Sequence, residues 1–227
     1  LLDLIHMNVR VPEQTIGDLM ANVGCNEVGG RAIVEFMEEY GLDELESLSE
    51  AANAHAEISM RERITEIPDG IYDNSIQIEG PGQAIRLAAQ VKVANSDVAI
   101  DFTGTDGPVR ASINVPVCYT RAQSNYVIKC LTIPSLPNNE GAIRPITVTA
   151  PDTCILNAQP PWPTGGRHSV GHFVVPLLMG ALAEALPDKV QADTAMMNVL
   201  SVQGRHRDGE EVSSLFFLAG GLGAICL

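Results

Sequence analysis

The spacing of apolar residues changes near residue 68. Before it they recur at three- and four-residue steps: Ile16, Leu19, Met20 and Val23, then Ile33, Val34, Phe36 and Met37. That spacing lines one face of a helix. Gly29-Gly30 is expected to interrupt the helix. Gly41 is expected to stop it, since glycine readily adopts the left-handed conformation past a helix end. Leu42 to Ile67 then runs without Gly or Pro and is rich in Ala and Glu. Pro68-Asp69-Gly70 is a turn signal, and after it the period falls to two. Ile71–Ile78, Ile85–Val93 and Val98–Phe102 read as strands of an antiparallel meander with one buried face.

Arg121–Ile133 reads as an apolar helix, ended by Pro134 and Pro137. Ile143–Ala150 is a short strand around Pro145, expected at a sheet edge because proline lacks a ladder N–H. Ser169–Leu186 is expected to be a second apolar helix, reached through Gly165-Gly166 and holding Pro176 inside it. Met196–Gln203 and Val212–Leu218 read as strands on either side of the Gly204–Glu211 turn. The expected class is therefore α+β. A helical N-terminal arm, residues 1–67, leads into a core, residues 68–227, of mixed or antiparallel sheet with packed apolar helices.

Composition narrows the function. The chain has 227 residues, 45% hydrophobic and 19% charged, which suits a globular protein. With 28 acidic against 14 basic residues the formal charge is −14, which argues against binding nucleic acid or an anionic membrane, both polyanions. No apolar run is long enough for a transmembrane helix. Residues 1–62 hold 13 acidic and 3 basic residues, a net −10. They read as a solvated helical face or as an acidic docking face for a basic partner. Five cysteines without a C-x-x-C pair suggest reduced thiols in a cytoplasmic protein, and Cys118 and Cys130 are expected to be buried and structural. The chain starts without Met and stops just after an apolar segment, so it reads as a piece of a longer chain.

The sharpest polar cluster is Arg167-His168-Ser169-Val170-Gly171-His172. On a helix His168 and His172, four apart, share one face. Three readings stand: histidines bonded to backbone or water, contact with substrate or phosphate at a helix start aided by Arg167, or half of a metal site. Asn114, in Ile113-Asn114-Val115-Pro116, is a pocket residue or an Asx-type turn former. Thr103 and Thr105, in a Gly-rich turn, either cap that turn or bond a ligand. Gly220-Gly221-Leu222-Gly223 lacks the full dinucleotide fingerprint and suits close backbone packing or a pocket edge.

Several stretches together resemble the B subunit of the hydantoinase/oxoprolinase family. They are Pro12-Glu13-Gln14-Thr15-Ile16-Gly17-Asp18-Leu19, Asp101-Phe102-Thr103-Gly104-Thr105, Ile113-Asn114-Val115-Pro116, Asn139 to Ile146, Ile155 to Pro161, Val175 to Pro187, and Gly220 to Ala224. The ordered set is specific, although no single stretch is. The resemblance implies a central and C-terminal part of a chain more than twice as long. It implies a divalent metal held by His and Asp of a segment preceding this one, and an actin-like ATPase partner, the A subunit. That partner would use ATP to phosphorylate a lactam or ketone oxygen. Water attack would then open a hydantoin, 5-oxoproline or other lactam, while bicarbonate-derived carbon dioxide would carboxylate a small ketone such as acetone or acetophenone. A truncated homologue that only docks an A subunit is a further reading. The expected catalytic residues are Arg167, His168 and His172, which would face an anion. Asn114, Gly220, Gly221 and Gly223 would form substrate-binding walls.

Overall fold

The computed structural model describes residues 1–9, 11–191 and 198–218. Two compact units divide at Ala52/Asn53. In the first, α1 (Leu2–Asn8) packs on α2 (Pro12–Tyr40). Pro12 opens α2, where its missing N–H leaves no bond unmade. Gly41, at φ 63°, closes it. Its N–H donates to the Glu38 carbonyl and that of Leu42 to the Met37 carbonyl, a Schellman ending. The expected break at Gly29-Gly30 is absent, and α2 runs unbroken through both. A glycine inside a helix costs only about 1 kcal/mol, and the turns on either side make good that loss. No described residue of α2 is buried.

α3 (Glu46–Ile64) crosses the division. In the second unit its Ala56, Met60 and Ile64, four residues apart, are buried in the core. The sheet follows as β1 (Gly70–Glu79), β2 (Ala84–Ala94), β3 (Asp97–Asp101) and β4 (Ile146–Thr149), in that spatial order. The first three strands form the expected antiparallel meander. The tight β2–β3 turn contains Asn95 at φ 54°, a conformation asparagine tolerates. β4 lies parallel to β3 at the edge, with Pro145 just before it.

Alternation sorts the sheet into two faces. Ile85, Leu87, Val91 and Val93 of β2, Val98 and Ile100 of β3, and Ile146 and Val148 of β4 face the core. α4 (Val117–Thr132) and α7 (Val174–Leu182) belong to that core, α7 packing against β1, β2 and α4. The opposite face carries Asp73, Ser75, Arg86, Gln90 and Asp101. α5 (Glu140–Ile143) is a single turn whose first residues are capped by the Asn139 side chain, accepting from Ala142 N–H at 3.0 Å. β5 (Asn198–Arg205) and β6 (Glu211–Leu218) form an antiparallel hairpin. Met196 and Met197, expected in the first of these strands, lie outside the described residues.

The expected Ser169–Leu186 helix is two helices, α6 (His168–Gly171) and α7. The cause is Pro176, which has no N–H to give the His172 carbonyl four residues earlier and whose ring would collide with it. The His172 carbonyl instead accepts from Val175 N–H at 3.2 Å, and the Val170 carbonyl from Phe173 N–H at 3.0 Å. These three-residue turns carry the chain across the junction.

Candidate functional site

Two loop segments hold the start of α6. Asn114 is fully buried, and its carboxamide is fully engaged. Its Oδ1 accepts from Val109 N–H at 2.8 Å, and its Nδ2 donates to the carbonyls of Val109, Ala111 and Pro163 at 2.8 to 2.9 Å. This is the geometry of a turn former that ties residues 109–114 to Pro163, and the buried carboxamide has no free N–H to offer a substrate. Gly166 N–H then donates to the Ser112 carbonyl at 2.5 Å. Arg167 N–H reaches the Thr164 carbonyl at 3.1 Å, so helical geometry begins before α6.

Four side chains gather there. The Arg167 guanidinium lies 6.0 Å from the centre of the Tyr119 ring, on the first turn of α4. Such a cation–ring contact contributes about 0.5–1 kcal/mol at an exposed site. The Tyr119 and His172 rings are 6.3 Å apart between centres, as are those of His168 and His172. Tyr119 comes this close because position 171 is glycine, where any β-carbon would overlap its ring.

Burial sets the charge of two members of the cluster. Burial, followed by the nearby His168, holds the His172 imidazole below its ordinary value. At neutral pH His172 is therefore uncharged, able to accept a proton or a hydrogen bond. Burial pushes the Tyr119 phenol up, with Arg167 and Gln123 acting in the opposite direction. The group thus presents one fixed guanidinium, a protonated phenol and a neutral His172.

His168 and His172 give a possible metal two ligands. Among the described residues no three His, Cys, Asp or Glu side chains come together as a metal needs, so no chemical step is assigned to a metal here. Gly220, Gly221 and Gly223 lie outside the described residues. Cys118 is exposed and Cys130 half-buried, contrary to expectation. The buried stripe of α4 is Thr120, Ser124, Val127, Ile128 and Leu131, and neither cysteine falls on it. Tyr119 was not anticipated from sequence, since only the fold sets it against Gly171. Among the described residues no helix is long and apolar enough to cross a membrane.

Residues 1–226 match the Hydantoinase B/oxoprolinase family, and the chain belongs to it. A protein of Pseudomonas sp. strain NS671, assigned as the B subunit of a D-/L-hydantoinase, is 31% identical over 91% of this chain and 37% of its own length. The ATP-dependent caprolactamase of Pseudomonas jessenii has a crystal structure that superposes with a TM-score of 0.78, at 23% identity, over 93% of this chain and 38% of the other. A nucleotide-free acetone carboxylase superposes with a TM-score of 0.65 at 17% identity, over 75% of this chain and 26% of the other. These likenesses establish the shared fold. The chain spans a little over a third of the length of curated relatives that it matches.

Proposed function

We propose that this chain is part of the B subunit of an ATP-dependent enzyme that hydrolyses cyclic amides such as hydantoins, 5-oxoproline or lactams. The observation that carries the reading is the family match over residues 1–226, with a hydantoinase-type relative at 31% identity. An actin-like ATPase subunit would supply the activated substrate by phosphorylating the amide oxygen. That step answers a chemical need, because an amide carbonyl is a poor electrophile, and O-phosphorylation makes its carbon open to attack by water. The ring C–N bond then breaks with the nitrogen taking a proton, and a second water releases phosphate from the acyl phosphate. Any divalent metal would be held by residues outside this chain. Arg167, with Tyr119, His168 and His172 around it, is the group proposed to meet the phosphate or a substrate carboxylate. A guanidinium fork suits either anion, and neutral His172 can accept a proton.

The likeness to acetone carboxylase motivates a second reading, ATP-dependent carboxylation of a small ketone. The two separate in one assay. The full-length protein is combined with its ATPase partner, ATP and either a cyclic amide or a ketone, with and without bicarbonate. Ring opening that needs ATP but no bicarbonate supports the hydrolase. Consumption of ketone only when bicarbonate is present supports the carboxylase.

A further inference from the structure

The sheet face turned away from the core holds a cavity of about 580 Å³ built from charged, polar and very small side chains. Strand register arranges them in rows. Asp73, Gln90 and Asp101 are directly paired across β1, β2 and β3, so two carboxylates flank one carboxamide. Ser75 and Ala88 form the next row on this face, and Gln77 and Arg86 the one after. Small side chains in the middle row make the depression.

The loop after β3 closes one side. Thr105 Oγ1 accepts from Ala88 N–H and donates to the Ala88 carbonyl, both at 3.0 Å, so it continues the ladder in place of backbone. Asp106 adds a second clasp, its carboxylate accepting Arg86 N–H at 2.7 Å. Gly104, at φ 93°, is thereby held over the Ala88 methyl. Thr103 donates to Asp101 Oδ1 from both N–H and Oγ1, at 2.9 and 2.8 Å. Gln90 Nε2 donates to Asp73 Oδ1 at 2.9 Å. Each carboxylate is thus oriented through one oxygen, and neither is paired with a cation among the described residues. The Arg86 guanidinium likewise joins no ion pair there.

Opposite charges at two ends of one depression, with neither neutralised, suit a ligand carrying both charges apart. Four residues of strand separate the Arg86 row from the Asp73–Asp101 row, roughly 13 Å between backbones. An arginine side chain is long enough to reach across part of that gap, which would leave several methylene lengths between ligand charges. We infer that this cavity binds an unbranched zwitterionic amino acid, its ammonium group between Asp73 and Asp101 and its carboxylate on the Arg86 fork. Opening a lactam breaks the ring C–N bond, water giving hydroxyl to the carbonyl carbon and a proton to the nitrogen. For an unsubstituted lactam the result is a zwitterion of this kind. Its identification as reaction product rests on the cyclic-amide reading, whereas its binding rests on the cavity alone.

The test is calorimetric titration of the full-length protein, without ATP or the ATPase partner, using ε-aminocaproate, glycine, hexanoate and hexylamine as probes. ε-Aminocaproate should bind at least about tenfold more tightly than the other three. Arg86→Gln and Asp73→Asn should each weaken it by a similar factor with unchanged circular dichroism. Absence of binding, equal affinity for all four probes, or wild-type affinity in both variants overturns the inference. Turnover is measured separately. Ring opening without zwitterion binding leaves the cyclic-amide reading standing, and binding without ring opening overturns that reading alone.

Discussion

Gly171 and the ring of Tyr119 share one space: the ring edge passes so close to the glycine that any β-carbon at 171 would overlap it. Through this contact the first turn of α4 and the short helix α6 fix each other, and the Arg167 guanidinium sits against the same ring. Gly171→Ala must therefore displace Tyr119. Overpacking of this kind costs about 1–3 kcal/mol. Urea unfolding of the full-length protein should show that loss, and Tyr119→Ala in the same chain should remove most of it. An equal loss with and without the tyrosine would mean that the contact is not the cause.

His172 gives the cluster a pH dependence of known sign. Its folded value lies below the ordinary 6.5, so the unfolded chain takes up this proton first as pH falls. The stability contribution is fully present above about pH 6.5 and is lost as pH falls through the lower folded value. Burial is the main cause and His168 the second, so His172→Gln should flatten the slope of stability against pH below 6.5, and His168→Gln should reduce it less. An unchanged slope in His172→Gln would assign it to other groups.

The same residue carries a catalytic prediction. His172→Ala in the proposed complex should slow turnover at least about tenfold, roughly 1.4 kcal/mol of barrier, while gel filtration still shows assembly with the proposed ATPase partner. Wild-type kinetics would return His172 to a packing role.

Asn114 should behave as structure. Replacing it with alanine strands the Val109 N–H and leaves the Val109, Ala111 and Pro163 carbonyls without this donor. Each buried group left unpaired costs about 1–3 kcal/mol, so Asn114→Ala should lower stability by about 3 kcal/mol or more. A raised KM with unaltered unfolding would instead mark a substrate contact.

Local pattern carried much of the fold. The helical spacing of Ile16, Leu19, Met20 and Val23 and the alternation through Ile76, Ile78, Ile85 and Leu87 are properties of neighbouring residues, and both became the expected elements. What lay beyond reach depended on distance or on a balance of energies. Gly29-Gly30 looked like a break, but two interior glycines did not outweigh the turns flanking them. Pro176 was visible, yet whether it bends or divides a helix depends on the carbonyl at His172. The parallel pairing of β4 with β3 follows a crossover through α4 and α5 that no alternation reports. At the site, adjacency in sequence revealed Arg167, His168 and His172. Tyr119 joined them only through the fold, and Asn114 was decided by carbonyls from separate segments.

The most direct measurement of the central claim is product release by the full-length protein combined with the proposed ATPase partner, a cyclic amide and isotopically labelled bicarbonate. The account predicts a ring-opened product that forms only with ATP, at a rate independent of bicarbonate and without label. Incorporation of the label, or ring opening at the same rate without ATP, would contradict it.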